Sequence, residues 1–259
     1  MSGKKHDTLI FIATYNERGN VEAMCAQILA LTLQADILFI DDNSPDGTGE
    51  VLDRLAAQHD NISIIHRSGK LGLGSAHLDG IARAYDLGYD TLITMDCDFT
   101  HSPRDIPVML AASADADITV ASRFQAQASL AEWTFFRKSL SWCGHFLTRT
   151  LLGMGYDATG AFRVYRLSRL PRQVFSLVRS RGYAFFFESL FILHVNKFKI
   201  VEVPIALPKR SHGESKMSLK EAFRSALRVL RLWFDSRRHP EHFRLPATDG
   251  GQMNDGKNA

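Results

Sequence analysis

At 259 residues, with 45% hydrophobic and 23% charged residues, the chain is long enough for one large domain, and its composition excludes global disorder and fibrous repeats. The net charge of +3 is too small to mark a nucleic-acid binder, but nine Lys/Arg face three Asp/Glu between Lys209 and Arg238, a local excess that needs a role. Cys25, Cys97 and Cys143 lie far apart with no CxxC pair, which argues against a disulfide framework or a structural zinc site and fits a reducing compartment.

The run "TLIFIA" at Thr8–Ala13 soon meets charge, unlike a secretory signal, and no uncharged stretch reaches the roughly 20 residues that span a bilayer. A cytosolic chain is expected, with contact to a membrane surface left open. Thr8–Ala13 and Asp36–Ile40 are continuous apolar runs followed by turn residues, the pattern of strands buried on both faces. Between them Val21, Met24, Ile28 and Leu31 fall at helical spacing, which predicts a helix over Asn20–Leu33 with Asn20 as N-cap. The alternation continues with a helix over Thr48–His59, a strand at Ile62–His66, a helix over Ser75–Leu87, a strand at Thr91–Met95, a helix over Pro103–Ala112 and a strand at Asp117–Ala121. Such strand–helix alternation predicts an α/β fold whose mostly parallel central sheet carries helices on both faces.

Beyond residue 130 the pattern loosens. Trp133–Gly153 reads as one amphipathic helix, Thr159–Arg166 as a short strand or turn, and Phe185–Val195 as an apolar helix interrupted by Glu188. Lys199–Ile205 alternates like a strand near the sheet edge, with Pro204 limiting its pairing. Over Ser218–Phe234 a stripe of Leu219, Phe223, Ala226, Leu227, Leu230 and Phe234 opposes Lys220, Arg224, Arg228 and Arg231. The expected division is a catalytic domain over 1–217, a basic amphipathic helix over 218–238, and a disordered tail over 239–259.

Ligands of open α/β sheets collect outside the carboxyl ends of the strands. Here those ends read "TYNE" (Thr14–Glu17), "DDNSPDG" (Asp41–Gly47), "DCD" (Asp96–Asp98) and "SR" (Ser122–Arg123). Together they describe a site for an anionic ligand plus a cation; alone, "NSPDG" is equally a turn signal. "KLGLGSAH" (Lys70–His77) lacks the glycine spacing of a dinucleotide fingerprint and the Gly-Lys-Ser/Thr of a P-loop. Two readings stand for it, a plain loop or one leading into a helix whose N-terminus approaches a ligand. In "DCD" the negative neighbours should raise the thiol pKa of Cys97 and disfavour a nucleophile. Two carboxylates at i and i+2 instead suit Mg2+ or Mn2+, hard cations that take oxygen ligands and bridge to phosphates.

"ATYNE", "IDDNSPDGT", "GKLGLGSA", "MDCDFTHSP", "ASRF", "TGAFRVYR" and "KRSHGESK" occur in the order seen in polyprenyl- and dolichyl-phosphate mannose synthases. The chain thus resembles these family-two glycosyltransferases of the GT-A fold from about residue 8 to residue 220. The resemblance implies a donor site of Ala13, Tyr15, Glu17, Ile40, Asp42, Asp96, Cys97, Asp98, Arg123, Arg210 and Lys216. Within it Tyr15, Glu17, Ile40 and Asp42 would hold base and ribose, and Asp96, Cys97 and Asp98 would lie along the diphosphate. Asp96 and Asp98, with Thr100, would hold the metal; Arg123, Arg210 and Lys216 would contact phosphates, and Arg137 and Glu188 are the acceptor candidates. Ala13 stands where the family commonly has proline, Cys97 where it has alanine, Thr100 where it has glutamine or serine, and Trp142 where many members carry arginine.

The implied activity is inverting transfer of mannose from GDP-mannose to a polyprenyl or dolichyl monophosphate. Its rivals are UDP-glucose or another nucleotide sugar as donor, a saccharide hydroxyl as acceptor, and a nucleotide-sugar-binding subunit without turnover. A phosphate acceptor arrives ionised and needs no strong general base, whereas a hydroxyl would need one, for which Glu188 is the candidate. The basic helix either rests on an anionic membrane, at about 1 kcal/mol per basic residue, or packs on the sheet. A peripheral protein on the cytoplasmic face is expected, open to a small membrane-protein partner, with no module for nucleic acid.

Overall fold

The computed structural model describes residues 4–125, 135–206 and 219–246, apart from the side chains of 135–137 and 219–222. In chain order the elements are β1 (Thr8–Thr14), α1 (Arg18–Leu29), β2 (Ala35–Asp41), α2 (Thr48–Gln58), β3 (Ile62–His66), α3 (Leu73–Asp86), β4 (Thr91–Asp96), α4 (Ile106–Ala112) and β5 (Ile118–Ser122). Then follow α5 (Phe135–Leu152), β6 (Arg163–Arg166), α6 (Gln173–Ser176), α7 (Phe185–Val195), β7 (Ile200–Pro204) and α8 (Leu219–Arg238). The strands form one seven-stranded sheet in the order β3-β2-β1-β4-β6-β5-β7. All pairings are parallel except those of β6, which runs antiparallel to both β4 and β5.

Alternate residues of each strand feed two cores. On β1, Leu9 and Phe11 join a cluster with α3, α5, α7 and α8, while Ile10 and Ile12 join one with α1, α2 and α4. Every residue of β2 is buried, which is why its centre, Ile37–Ile40, is an unbroken apolar run between two buried acids, Asp36 and Asp41. The expected helices on both faces and the mostly parallel sheet are therefore present, and β7 occupies the predicted edge.

Three expectations on local structure are revised. Helix α1 starts at Arg18, because the Glu17 carbonyl accepts the N–H groups of Asn20 and Val21. Asn20 is therefore no N-cap; it is buried in the first turn and donates through Nδ2 to Glu17 Oε2. Helix α8 packs on the domain through Val229 and Leu232, while Phe223, Leu227, Leu230 and Phe234 of the predicted stripe face outward. The chain after α8 also does not fray at once. Phe243 is buried edge-to-face on Phe191, Asn196 Nδ2 donates to the Phe243 carbonyl, and Leu245 N donates to Asn196 Oδ1. The rest of the expected tail, 247–259, lies outside the described residues.

A buried arginine anchors the entry of β6. Arg163 is fully excluded from solvent, and its guanidinium donates to the carbonyls of Gly160, Ala158 and Phe186 and to Ser189 Oγ. A buried charge is tolerated only when its donors are satisfied in this way. The antiparallel strand is thereby stapled to α7.

Candidate active site

The strand order reverses between β1 and β4, and in open α/β sheets the ligand crevice lies outside the carboxyl ends of the strands at such a switch point. Register puts Ile40, Ala13 and Asp96 in one row across β2, β1 and β4 at that crevice. The side chain of Ile40 is fully buried, so what it offers a ligand is backbone.

The loops after β1 and β2 are tied to each other. Thr14 Oγ1 donates to Asp41 Oδ1 at 2.8 Å, and Asp41 also accepts from the N–H and hydroxyl of Ser44. Asn16 N donates to Ser44 Oγ, and Glu17 N to Thr48 Oγ1. These bonds, with Asn16 and Asn43 both in the left-handed region that asparagine tolerates, fix where Tyr15 and Glu17 project.

Asp42, expected at the base and ribose, carries intramolecular bonds of its own. It is buried; Oδ1 accepts from Arg67 Nη1 at 2.6 Å and Oδ2 from Gly72 N at 3.1 Å. Arg67 also reaches Ser75 Oγ and Asp79. Asp42 thus pins both ends of the 67–72 loop, from which Lys70 Nζ lies 3.9 Å from the centre of the Tyr15 ring. A cation over an aromatic face is favourable in itself. The motif "GKLGLGSA" therefore acts as a loop that delivers a lysine.

At the end of β4, Asp96 keeps 34% of its side chain exposed. Cys97 and Asp98 are buried, and Phe99 adopts φ +61°, a strained conformation for a bulky residue that turns the chain sharply after the second acid. Asp98 Oδ1 accepts both the N–H of Thr100 at 3.0 Å and its hydroxyl at 2.5 Å. Thr100, expected among the metal ligands with Asp96 and Asp98, thus directs both its backbone and its hydroxyl donor at Asp98. His101 Nδ1 accepts the Asp96 N–H at 3.2 Å, which leaves the proton of the neutral ring on Nε2. The carboxylates of Asp96 and Asp98 are hard oxygen donors two residues apart, a set that fits Mg2+ or Mn2+.

Arg123 follows β5, separated from β4 by β6. Asp157 Oδ2 accepts from both its backbone N–H at 3.1 Å and its Nε at 2.7 Å, while Asp157 Oδ1 accepts from Thr159. The guanidinium is so held at the carboxyl edge of the sheet. Glu188 stands elsewhere in its chemistry: buried in the first turn of α7, it accepts Arg179 N at Oε1 and Ser180 N at Oε2. Its carboxylate fixes a loop. Arg210 and Lys216 lie outside the described residues, as does the side chain of Arg137.

Sequence reasoning missed Arg67, Lys70 and Asp157. Arg67 and Lys70 lie on a glycine-rich segment that by sequence reads equally as a plain loop, whereas nothing local in the sequence pairs Asp157 with a residue 34 positions earlier.

A mostly parallel sheet with paired carboxylates at its switch point, a tyrosine just after β1 and an anchored arginine just after β5 fits a glycosyltransferase of the GT-A fold. Residues 9–171 match glycosyl transferase family 2, and the chain belongs to that family. It is 39% identical over 214 residues to polyprenol monophosphomannose synthase of Mycolicibacterium smegmatis, covering 82% of this chain and 81% of that one. It is 36% identical over 211 residues to undecaprenyl-phosphate mannosyltransferase of Micrococcus luteus, covering 81% and 87%. Among solved structures, S. aureus TarS 1-349 in complex with UDP-GlcNAc superposes with a TM-score of 0.57 at 13% identity over 88% of this chain and 66% of that one. GalNAc-T7 with UDP, GalNAc and Mn2+ superposes with a TM-score of 0.52 at 15% identity over 89% of this chain and 48% of that one. These two likenesses establish the fold.

Proposed function

We propose that the enzyme transfers mannose from GDP-mannose to a polyprenyl monophosphate, with inversion at the anomeric carbon. The observation that carries this reading is the pair of mannosyl-transferring relatives, which align along four-fifths of this chain and of their own. The donor site extends along the row of Ile40, Ala13 and Asp96, with Tyr15 as base platform beside Lys70. Asp96 and Asp98 would hold Mg2+ or Mn2+, which neutralises the diphosphate leaving group when bound. Arg123, together with Arg210 and Lys216, supplies further positive charge to the phosphates.

The reacting oxygen belongs to the lipid phosphate and is already ionised at neutral pH. It forms the new bond to the anomeric carbon as the bond from that carbon to the GDP oxygen breaks, and GDP departs with the electron pair. No proton has to be removed, so what the chain provides is orientation and charge.

Lipid substrate brings the enzyme to a membrane. Among the described residues no helix is long and apolar enough to cross one. On α8, exposed Phe223, Leu227, Leu230 and Phe234 recur at spacings of four, three and four, beside exposed Arg224, Arg228 and Arg231. This is the face of a peripheral helix on an anionic bilayer, and the cytoplasmic leaflet supplies such charge.

The test is to incubate the purified protein with Mn2+ or Mg2+, undecaprenyl phosphate and separate labelled nucleotide sugars, then extract into organic solvent. Label is expected in the organic phase from GDP-mannose above all others. Transfer from UDP-glucose instead would replace the donor, and no extractable label from any donor would overturn the lipid-phosphate acceptor.

A further inference from the structure

A set of aromatic side chains runs from the catalytic edge to the surface, and no step described so far uses it. Arg123 stands at its inner end, its guanidinium 5.9 Å from the ring centre of Phe124. The Phe124 ring stacks on His145 of α5 at 4.2 Å and 23°, and meets Trp142 at 5.0 Å. Trp142 is 53% exposed, and Phe146, one helical turn further along the same face, is 64% exposed. His145 contributes a ring face to the stack, since its buried Nδ1 has no hydrogen-bond partner among the described residues.

Large exposed aromatics at a catalytic edge mark a binding surface, because leaving them in water costs burial that a ligand can recover. The inner end of this surface carries a guanidinium fixed by Asp157, and its outward course is ring faces. A ligand matching both ends has one anionic head and an apolar, unsaturated tail.

We propose that Phe124, Trp142 and His145 form the seat of the isoprenoid chain of the acceptor, with its phosphate directed toward Arg123. The inference rests on the acceptor reading given above and adds the residues that recognise the chain. It also separates two lipid contacts. The α8 stripe meets the bilayer, whereas the α5 aromatics hold the single substrate molecule drawn from it.

The experiment compares wild type, Trp142→Ala and Trp142→Phe in detergent micelles. Trp142→Ala is expected to raise KM for undecaprenyl phosphate about tenfold, or about 1.4 kcal/mol of lost apolar contact, with GDP affinity by calorimetry unchanged. Trp142→Phe, which keeps a ring, should recover most of the loss. Retention of radiolabelled undecaprenyl phosphate on the immobilised protein without donor should fall in parallel. An unchanged KM and retention in Trp142→Ala would overturn the proposal, as would an equal fall in GDP affinity. So would a matching loss of binding to phosphatidylglycerol vesicles that contain no polyprenyl phosphate, which would make this face a bilayer contact. Should wild type transfer no mannose yet retain undecaprenyl phosphate through Trp142, the acceptor seat stands and only the assigned activity fails.

Discussion

Thr100→Val removes one hydroxyl and leaves the shape of the side chain, so it isolates what that hydroxyl does for Asp98. In the wild type Asp98 Oδ1 receives two bonds from Thr100, one from the hydroxyl at 2.5 Å and one from the backbone at 3.0 Å. A hydrogen bond to a charged group contributes about 1.5–3 kcal/mol, and because the backbone bond survives, the lower end applies. About 1.5 kcal/mol is roughly a tenfold change in an equilibrium constant. If the hydroxyl holds the carboxylate for the cation, Mn2+ binding in the presence of GDP should weaken about tenfold in calorimetry, and kcat should fall with it. Thr100→Ser restores the donor and should stay within about twofold of wild type. Wild-type metal affinity and turnover in Thr100→Val would refute the positioning role and leave the hydroxyl without function at this site.

Two further predictions concern stability. Burial, with a smaller contribution from the charge of Arg163, holds the His77 imidazole down at about 3. Its folded value lies below the unfolded value near 6.5, so the unfolded state takes up the proton between those limits. This contribution is whole above about pH 6.5 and is lost as pH falls toward 3, by up to about 1.4 kcal/mol per pH unit. Urea midpoints at pH 7, 5 and 4 should drop less steeply in His77→Leu than in wild type; parallel slopes would remove His77 from the acid response. Gly74→Ala places a Cβ 2.6 Å from the Gly182 carbonyl oxygen and 2.6 Å from Phe185 Cβ, with backbone on one side of the clash. Overpacking of that kind costs about 1–3 kcal/mol, and melting should fall by several degrees. Gly182→Ala, with nothing within 4 Å of its Cβ, is the control and should melt like wild type.

Strands β1, β2 and β4 were legible because the middle of each is an apolar run ended by a turn, as burial on both faces demands. Asp96 and Asp98 were legible for the same reason, since carboxylates that end a buried strand need a partner. What lay hidden depends on distant pairing. That Asp42 turns inward follows from Arg67, 25 residues on, and that Arg123 is fixed follows from Asp157, so neither could be read from spacing. Helix α8 shows another limit. Its apolar residues were visible, but the moment of the whole helix could not tell the face that packs through Val229 and Leu232 from the one left exposed.

The disposition of acids around the crevice bears on which acceptor the site suits. Asp41 is committed to Thr14 and Ser44, Asp42 to Arg67 and Gly72, Asp157 to Arg123 and Thr159, and Glu188 to two backbone amides. Asp96, still a third exposed, stands at the row where the diphosphate would lie and is suited to a cation. A hydroxyl acceptor would ask this edge for a base, and the candidate that sequence offered for it, Glu188, is bound to a loop. Under the proposed function, an acceptor that arrives ionised asks instead for fixed positive charge, which Arg123, held through Nε by Asp157, would supply.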